Sequence, residues 1–206
     1  EVAPDWVRRG GFGGVVLFAR NIRDPAQLAA LTSSLEGMVV AVDEEGGDVT
    51  RLEASTGSSF PGNLALGAVD DAALTRRVAA AIGGELGAAG VGLDLAPVAD
   101  VLVDPEAAIV GVRSFGSDPQ LVARHVAAYV EGLQEAGVAA CAKHYPGHGE
   151  VTGDSHLELP TAGIDRETLF ARALPPFAAA VEAGVRAVMT AHIRFPALDE
   201  QPATIS

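Results

Sequence analysis

Five times along this chain a short apolar run ends in polar or ionisable residues, and helical or glycine-broken stretches separate one run from the next. The runs cover residues 13–18, 38–42, 91–98, 138–142 and 187–191. Each is apolar on both faces, which is the pattern of strands covered by helices on either side of a parallel sheet. Between them, Asp24-Pro25 and Asp118-Pro119 read as N-cap and first-turn pairs that open helices to about residues 37 and 137. Helical spacing also covers about 70–87 and about 166–184, the latter kinked at Pro175-Pro176. Because several different strand exits carry reactive side chains, the pattern fits a (β/α)8 TIM barrel better than a doubly wound sheet. Five strands do not close an eight-stranded barrel, so the expectation is an incomplete barrel of about five β/α units.

With 206 residues, 49% of them hydrophobic and 20% charged, the chain has material for one core, and it reads as one domain over 1–206. A net charge of −13 repels nucleic acid and anionic membrane surfaces, which favours a neutral, small ligand. No run approaches the roughly 18 apolar residues of a membrane span. Cys141 is the lone cysteine and reads as a small buried hydrophobe. Any targeting peptide would lie upstream of Glu1, and compartment and oligomeric state are left open.

The chemistry concentrates after the fourth run. Residues 143–156 read K-H-Y-P-G-H-G-E-V-T-G-D-S-H, which places three of the five histidines in one loop broken by Gly147, Gly149 and Gly153. Lys143 and His144 leave a buried strand directly into that loop, where both suit donation to hydroxyls of a bound ligand. Asp154 and His156 lie two residues apart. On a non-helical backbone that carboxylate can accept from one ring nitrogen, fixing the tautomer and leaving the other nitrogen to exchange a proton.

The stretch 143–160, K-H-Y-P-G-H-G-E-V-T-G-D-S-H-L-E-L-P, resembles the signature of family 3 glycoside hydrolases, in particular their β-N-acetylglucosaminidase branch. The resemblance implies that His156 is the general acid/base and Asp154 its orienter. It implies sugar contacts for Asp43 in D-E-E-G-G-D-V-T-R, for Arg51, for Arg113 in G-V-R-S-F-G, and for Lys143 and His144. Glu44 and Glu45 are expected only to shape the turn after Asp43, and Asp48 stands where the family more often has Arg. Asp94 reads as a supporting partner or a cap, His148 as a loop organiser, His192 as a strand-end histidine, and His125 as a helix residue without a role.

The resulting expectation is a retaining exo-β-N-acetylglucosaminidase acting on terminal β-linked GlcNAc, of muropeptide or chitin-oligosaccharide type. It needs no cofactor and no metal. The resemblance places the nucleophilic aspartate beyond Ser206, so these residues alone are expected to be inactive. Three alternatives stay open: a phosphorylase, a metal-dependent barrel hydrolase using His144, His148, Asp154, His156 and His192, and a non-catalytic sugar-binding protein.

Overall fold

The computed structural model describes residues 5–104, 109–151 and 157–206. In chain order the elements are α1 (Asp5–Arg9), β1 (Gly14–Val16), α2 (Pro25–Ser33), β2 (Val39–Val42), α3 (Asn63–Val69), α4 (Ala72–Ala88), β3 (Leu93–Asp94), α5 (Pro119–Glu135), β4 (Ala139–Tyr145), α6 (Arg166–Thr168), α7 (Pro175–Glu182), β5 (Ala187–Thr190), β6 (Arg194–Phe195) and β7 (Asp199–Pro202).

β1 to β5 form one parallel sheet in strictly sequential order. That order decides the architecture. A doubly wound sheet reverses its strand order at a switch point, whereas a (β/α)8 barrel adds each strand beside the last. The sheet is a curled half-barrel with all five strand exits on one rim, as the sequence pattern predicts.

The helices start where their caps predict. The Asp24 carboxylate accepts the Gln27 N–H at 2.8 Å with Pro25 in the first turn, and Asp118 accepts that of Gln120 at 2.9 Å ahead of Pro119. α4 and α5 pack closely on the outer face because Gly132 has no side chain: a Cβ there would lie 2.2 Å from the Arg76 carbonyl oxygen. Ile82 and Leu86 of α4 and Val126, Tyr129 and Leu133 of α5 are fully buried against Val42, Ala140 and Ala142 of the sheet. Cys141 is buried as expected, and burial pushes its thiol up to about 11.

Several boundaries differ from the sequence reading. The 70–87 helix is preceded by a separate α3, and Asp70, in the left-handed region at φ 52°, ends it. The regular third strand covers only Leu93–Asp94, although the chain beyond it stays between its neighbours: the Leu95 N–H donates to the Val42 carbonyl at 2.8 Å, and the Ala96 and Pro97 carbonyls accept from the Cys141 and Lys143 N–H groups at 2.8 and 3.1 Å. The 166–184 helix is interrupted by a wide turn over Leu169–Ala173 before Pro175 restarts it, since proline supplies no N–H to continue the ladder. The β6–β7 hairpin was not foreseen.

Candidate functional site

The first strand exit to matter is β2. Asp43 follows it, and the chain turns sharply at Gly46 and Gly47, whose φ values of 77° and 58° suit only glycine. A Cβ on Gly46 would meet the Pro61 carbonyl oxygen at 2.7 Å. Glu44 holds this turn, with one carboxylate oxygen accepting the N–H groups of Arg51 at 2.8 Å and Leu52 at 3.1 Å.

Glu45 does more than shape the turn, and here the expectation is corrected. Its side chain is 2% exposed and takes the Arg113 guanidinium as a fork, Nε to Oε2 at 2.9 Å and Nη2 to Oε1 at 2.7 Å. It also holds Lys143 Nζ at 2.6 Å. Lys143 donates to Asp43 Oδ1 at 2.8 Å, and Arg51 Nη2 reaches Asp43 Oδ2 at 3.2 Å. Two carboxylates therefore bind three cations into one continuous network. Asp43 keeps acceptor capacity for a ligand, because each carboxylate oxygen has a second lone pair.

Burial works against charge on Asp43, Glu45, Arg113 and Lys143, yet the pairing prevails. Glu45 and Asp43 are held below the usual carboxylate range by Lys143 together with Arg113 and Arg51 respectively, and Lys143 is raised by the two carboxylates. The network is charged at neutral pH.

β4 supplies the second half. The strand runs to Tyr145, and its pairing with β5 shifts register between Lys143 and Tyr145, where the Lys143–His144 peptide is cis. Asp100, fully buried, accepts from His144 Nδ1 at 2.7 Å, from the His144 N–H at 3.2 Å and from the His148 N–H at 2.6 Å. Burial opposes its charge, but His144 and the backbone donors bring its carboxyl below the ordinary range.

Asp43, Arg51, Arg113, Lys143 and His144 all line one cavity of about 710 Å³, together with His148 and His192. That is the size of a typical small-molecule site. His192 Nδ1 lies 2.6 Å from Thr204 Oγ1. In a chain of net charge −13, this lining is rich in cationic and imidazole groups, which suits an oxygen-rich ligand. The proposed acid/base pair, Asp154 and His156, lies outside the described residues. Among the described residues no group of three or more His, Cys, Asp or Glu side chains is arranged to hold a metal ion.

Two residues that organise the site were named in sequence without their partners: Glu45 as a shaper of the turn and Asp100 as a residue of the third strand's exit. Glu45 sits two positions past Asp43, and on extended backbone such residues share a face, which was the available signal for a common partner in Lys143. Asp100 follows the apolar Val98-Ala99 with no turn residue of its own, and a carboxylate in that setting needs donors. His125, given no role, is fully buried in α5, 2.7 Å from Thr75 Oγ1 and stacked on Phe115, so it serves helix packing.

Asp94 stands apart from the cation network. It is fully buried, its Oδ1 accepts the Glu44 N–H at 2.9 Å, and its Oδ2 has no hydrogen-bond partner among the described residues. Burial pushes its carboxyl well above the usual range. A raised acid favours folding below its unfolded pKa, near 4, and loses that contribution as pH rises through the folded value. Asp94→Asn keeps the acceptor for Glu44 and removes the titration. Relative to wild type, the variant should therefore gain unfolding free energy as pH rises above about 4, until the folded carboxyl has titrated, as read by urea denaturation; a pH-independent difference would contradict this.

The family model for the glycosyl hydrolase family 3 N-terminal domain matches residues 1–206. A curated β-hexosaminidase of Thiobacillus denitrificans is 42% identical over 208 residues, covering 94% of this chain and 56% of that protein. The β-hexosaminidase A of Pseudoalteromonas piscicida is 37% identical over 207 residues, covering 94% of this chain and 35% of that protein. Among solved structures, a family 3 β-N-acetylglucosaminidase from Paenibacillus sp. str. FPU-7 superposes with TM-score 0.89 at 45% identity, over 94% of this chain and 39% of that one. NagZ from Neisseria gonorrhoeae in complex with N-trifluoroacetyl-D-glucosamine superposes with TM-score 0.86 at 38% identity, over 94% and 60%. The chain thus spans 35–63% of the length of the curated relatives it matches.

Proposed function

This chain belongs to glycosyl hydrolase family 3, and on that premise we propose that it carries the sugar-binding pocket and acid/base pair of a retaining exo-β-N-acetylglucosaminidase. Its substrate is a terminal β-linked GlcNAc, of the kind found on muropeptides or chitin oligosaccharides. The observation that supports this most is the convergence of Asp43, Arg51, Arg113, Lys143 and His144 on one cavity at the exits of parallel strands. Asp43 accepts from sugar hydroxyls, and Arg51, Arg113 and Lys143 donate to hydroxyl and acetamido oxygens.

In the reaction, His156 gives a proton to the leaving oxygen while a carboxylate beyond Ser206 attacks the anomeric carbon from the opposite face. The bond to the aglycone breaks and a covalent glycosyl-enzyme forms. Water then attacks the anomeric carbon, its proton passing to His156, and free GlcNAc leaves with retained configuration. Asp154 orients the imidazole and stabilises its charged form.

The test is hydrolysis of an aryl β-GlcNAc by the parent protein extended past Ser206. Release of free GlcNAc, with or without phosphate present, is the expected result. An extended barrel that does not cleave overturns the assignment, and a product phosphorylated at the anomeric carbon makes the enzyme a phosphorylase.

A further inference from the structure

We propose that Asp100 is the positioning residue that sets His144, holding the Nδ1 proton so that the ring meets the sugar through Nε2 alone. Three nitrogens converge on this one carboxylate: the backbone N–H groups of His144 at 3.2 Å and His148 at 2.6 Å, and His144 Nδ1 at 2.7 Å. Asp100 is 0% exposed and does not line the cavity, so it touches no ligand and acts only through what it holds. His144 does line the cavity. Whether the ring is neutral or charged, its Nδ1 proton stays with the carboxylate, and every exchange with the ligand passes through the other nitrogen.

The position is also mechanically fixed. Gly149, one residue past His148, packs on the backbone beside Asp100, where a Cβ would come within 1.9 Å of the Val101 carbonyl oxygen. The same carboxylate therefore ties the end of β4 and the start of the following loop to the exit of β3. A carboxamide cannot replace it. With the asparagine oxygen accepting from the two backbone N–H groups, its NH2 faces His144 Nδ1, so the ring either meets another donor or moves its proton to Nε2, the opposite tautomer.

The inference rests on the proposed sugar contact of His144, and its test separates the two. In uniformly 15N-labelled parent protein, the His144 ring should show Nδ1 protonated, an observation that needs no activity. A bare Nδ1 with the proton on Nε2 overturns the proposal, whatever the enzyme hydrolyses. In kinetics with an aryl β-GlcNAc, Asp100→Asn should raise KM about tenfold, the scale of one hydrogen bond to the sugar, with kcat changed less. His144→Ala should do the same, and adding Asp100→Asn to it should change KM little further. A KM effect of Asp100→Asn that persists in full without His144, or no KM effect at all, assigns Asp100 a purely structural role and overturns the proposal. If Asp100→Asn fails to fold, the wild-type 15N observation still decides.

Discussion

Glu45→Gln is expected to destabilise the chain by about 3–5 kcal/mol, the cost of removing one partner from a buried charge network. Glutamine fills the same volume but carries no charge. Lys143, 1% exposed, is left with Asp43 alone, and the Arg113 fork loses its bidentate acceptor. Both cations then sit in a partly desolvated site with less than their compensation. The sign with pH follows from Glu45 being held below its ordinary range: its contribution is present above the unfolded pKa of about 4.3 and is lost as pH falls through the folded value. Urea denaturation of both proteins should therefore show the full gap near neutral pH and a shrinking one in acid. A gap of under about 1 kcal/mol at neutral pH, the range of exposed pairs, would mean that the network adds little to folding.

The same variant explains why the fold was easier to foresee than the site. Strand and helix alternation survives in sequence because burial on both faces imposes it residue by residue, and the sequential order β1 to β5 then follows from crossover geometry. Asp43, Arg51, Arg113, Lys143 and His144, which line one cavity, were singled out through a local motif or a strand exit. What a motif does not encode is pairing across long sequence separations. Glu45 meets Lys143 and Arg113 across 98 and 68 positions, and Asp100 meets His144 across 44. The only local marks are the two-residue spacing of Glu45 from Asp43 and, for Asp100, a carboxylate beside the apolar Val98-Ala99. The third strand was read too long for the opposite reason: residues 91–98 are apolar but for Asp94 and one glycine, yet regular pairing covers only Leu93–Asp94, and beyond it the chain keeps single hydrogen bonds to β2 and β4.

His156→Ala, in the parent protein extended past Ser206, should separate substrates by their leaving groups. General acid catalysis is worth about 10²–10⁴ in rate where the departing oxygen needs a proton. A GlcNAc linked to a sugar or to an unactivated alkyl alcohol departs as a strongly basic alkoxide, so it should lose that full factor. A nitrophenyl glycoside departs as a stabilised phenolate and loses far less in bond cleavage. What remains slow for the nitrophenyl substrate is the second step, where His156 would have deprotonated water. A small anionic nucleophile such as azide needs no such base and should restore turnover, giving a β-configured glycosyl azide. Asp154→Asn should show the same dependence on the leaving group with a smaller loss, because the imidazole remains but its tautomer and charged form are no longer held. The ratio of variant to wild-type kcat/KM, plotted against leaving-group pKa, reads this directly. A line of zero slope would show that His156 gives no proton to the departing oxygen, and the role would pass to another group at the rim of the cavity.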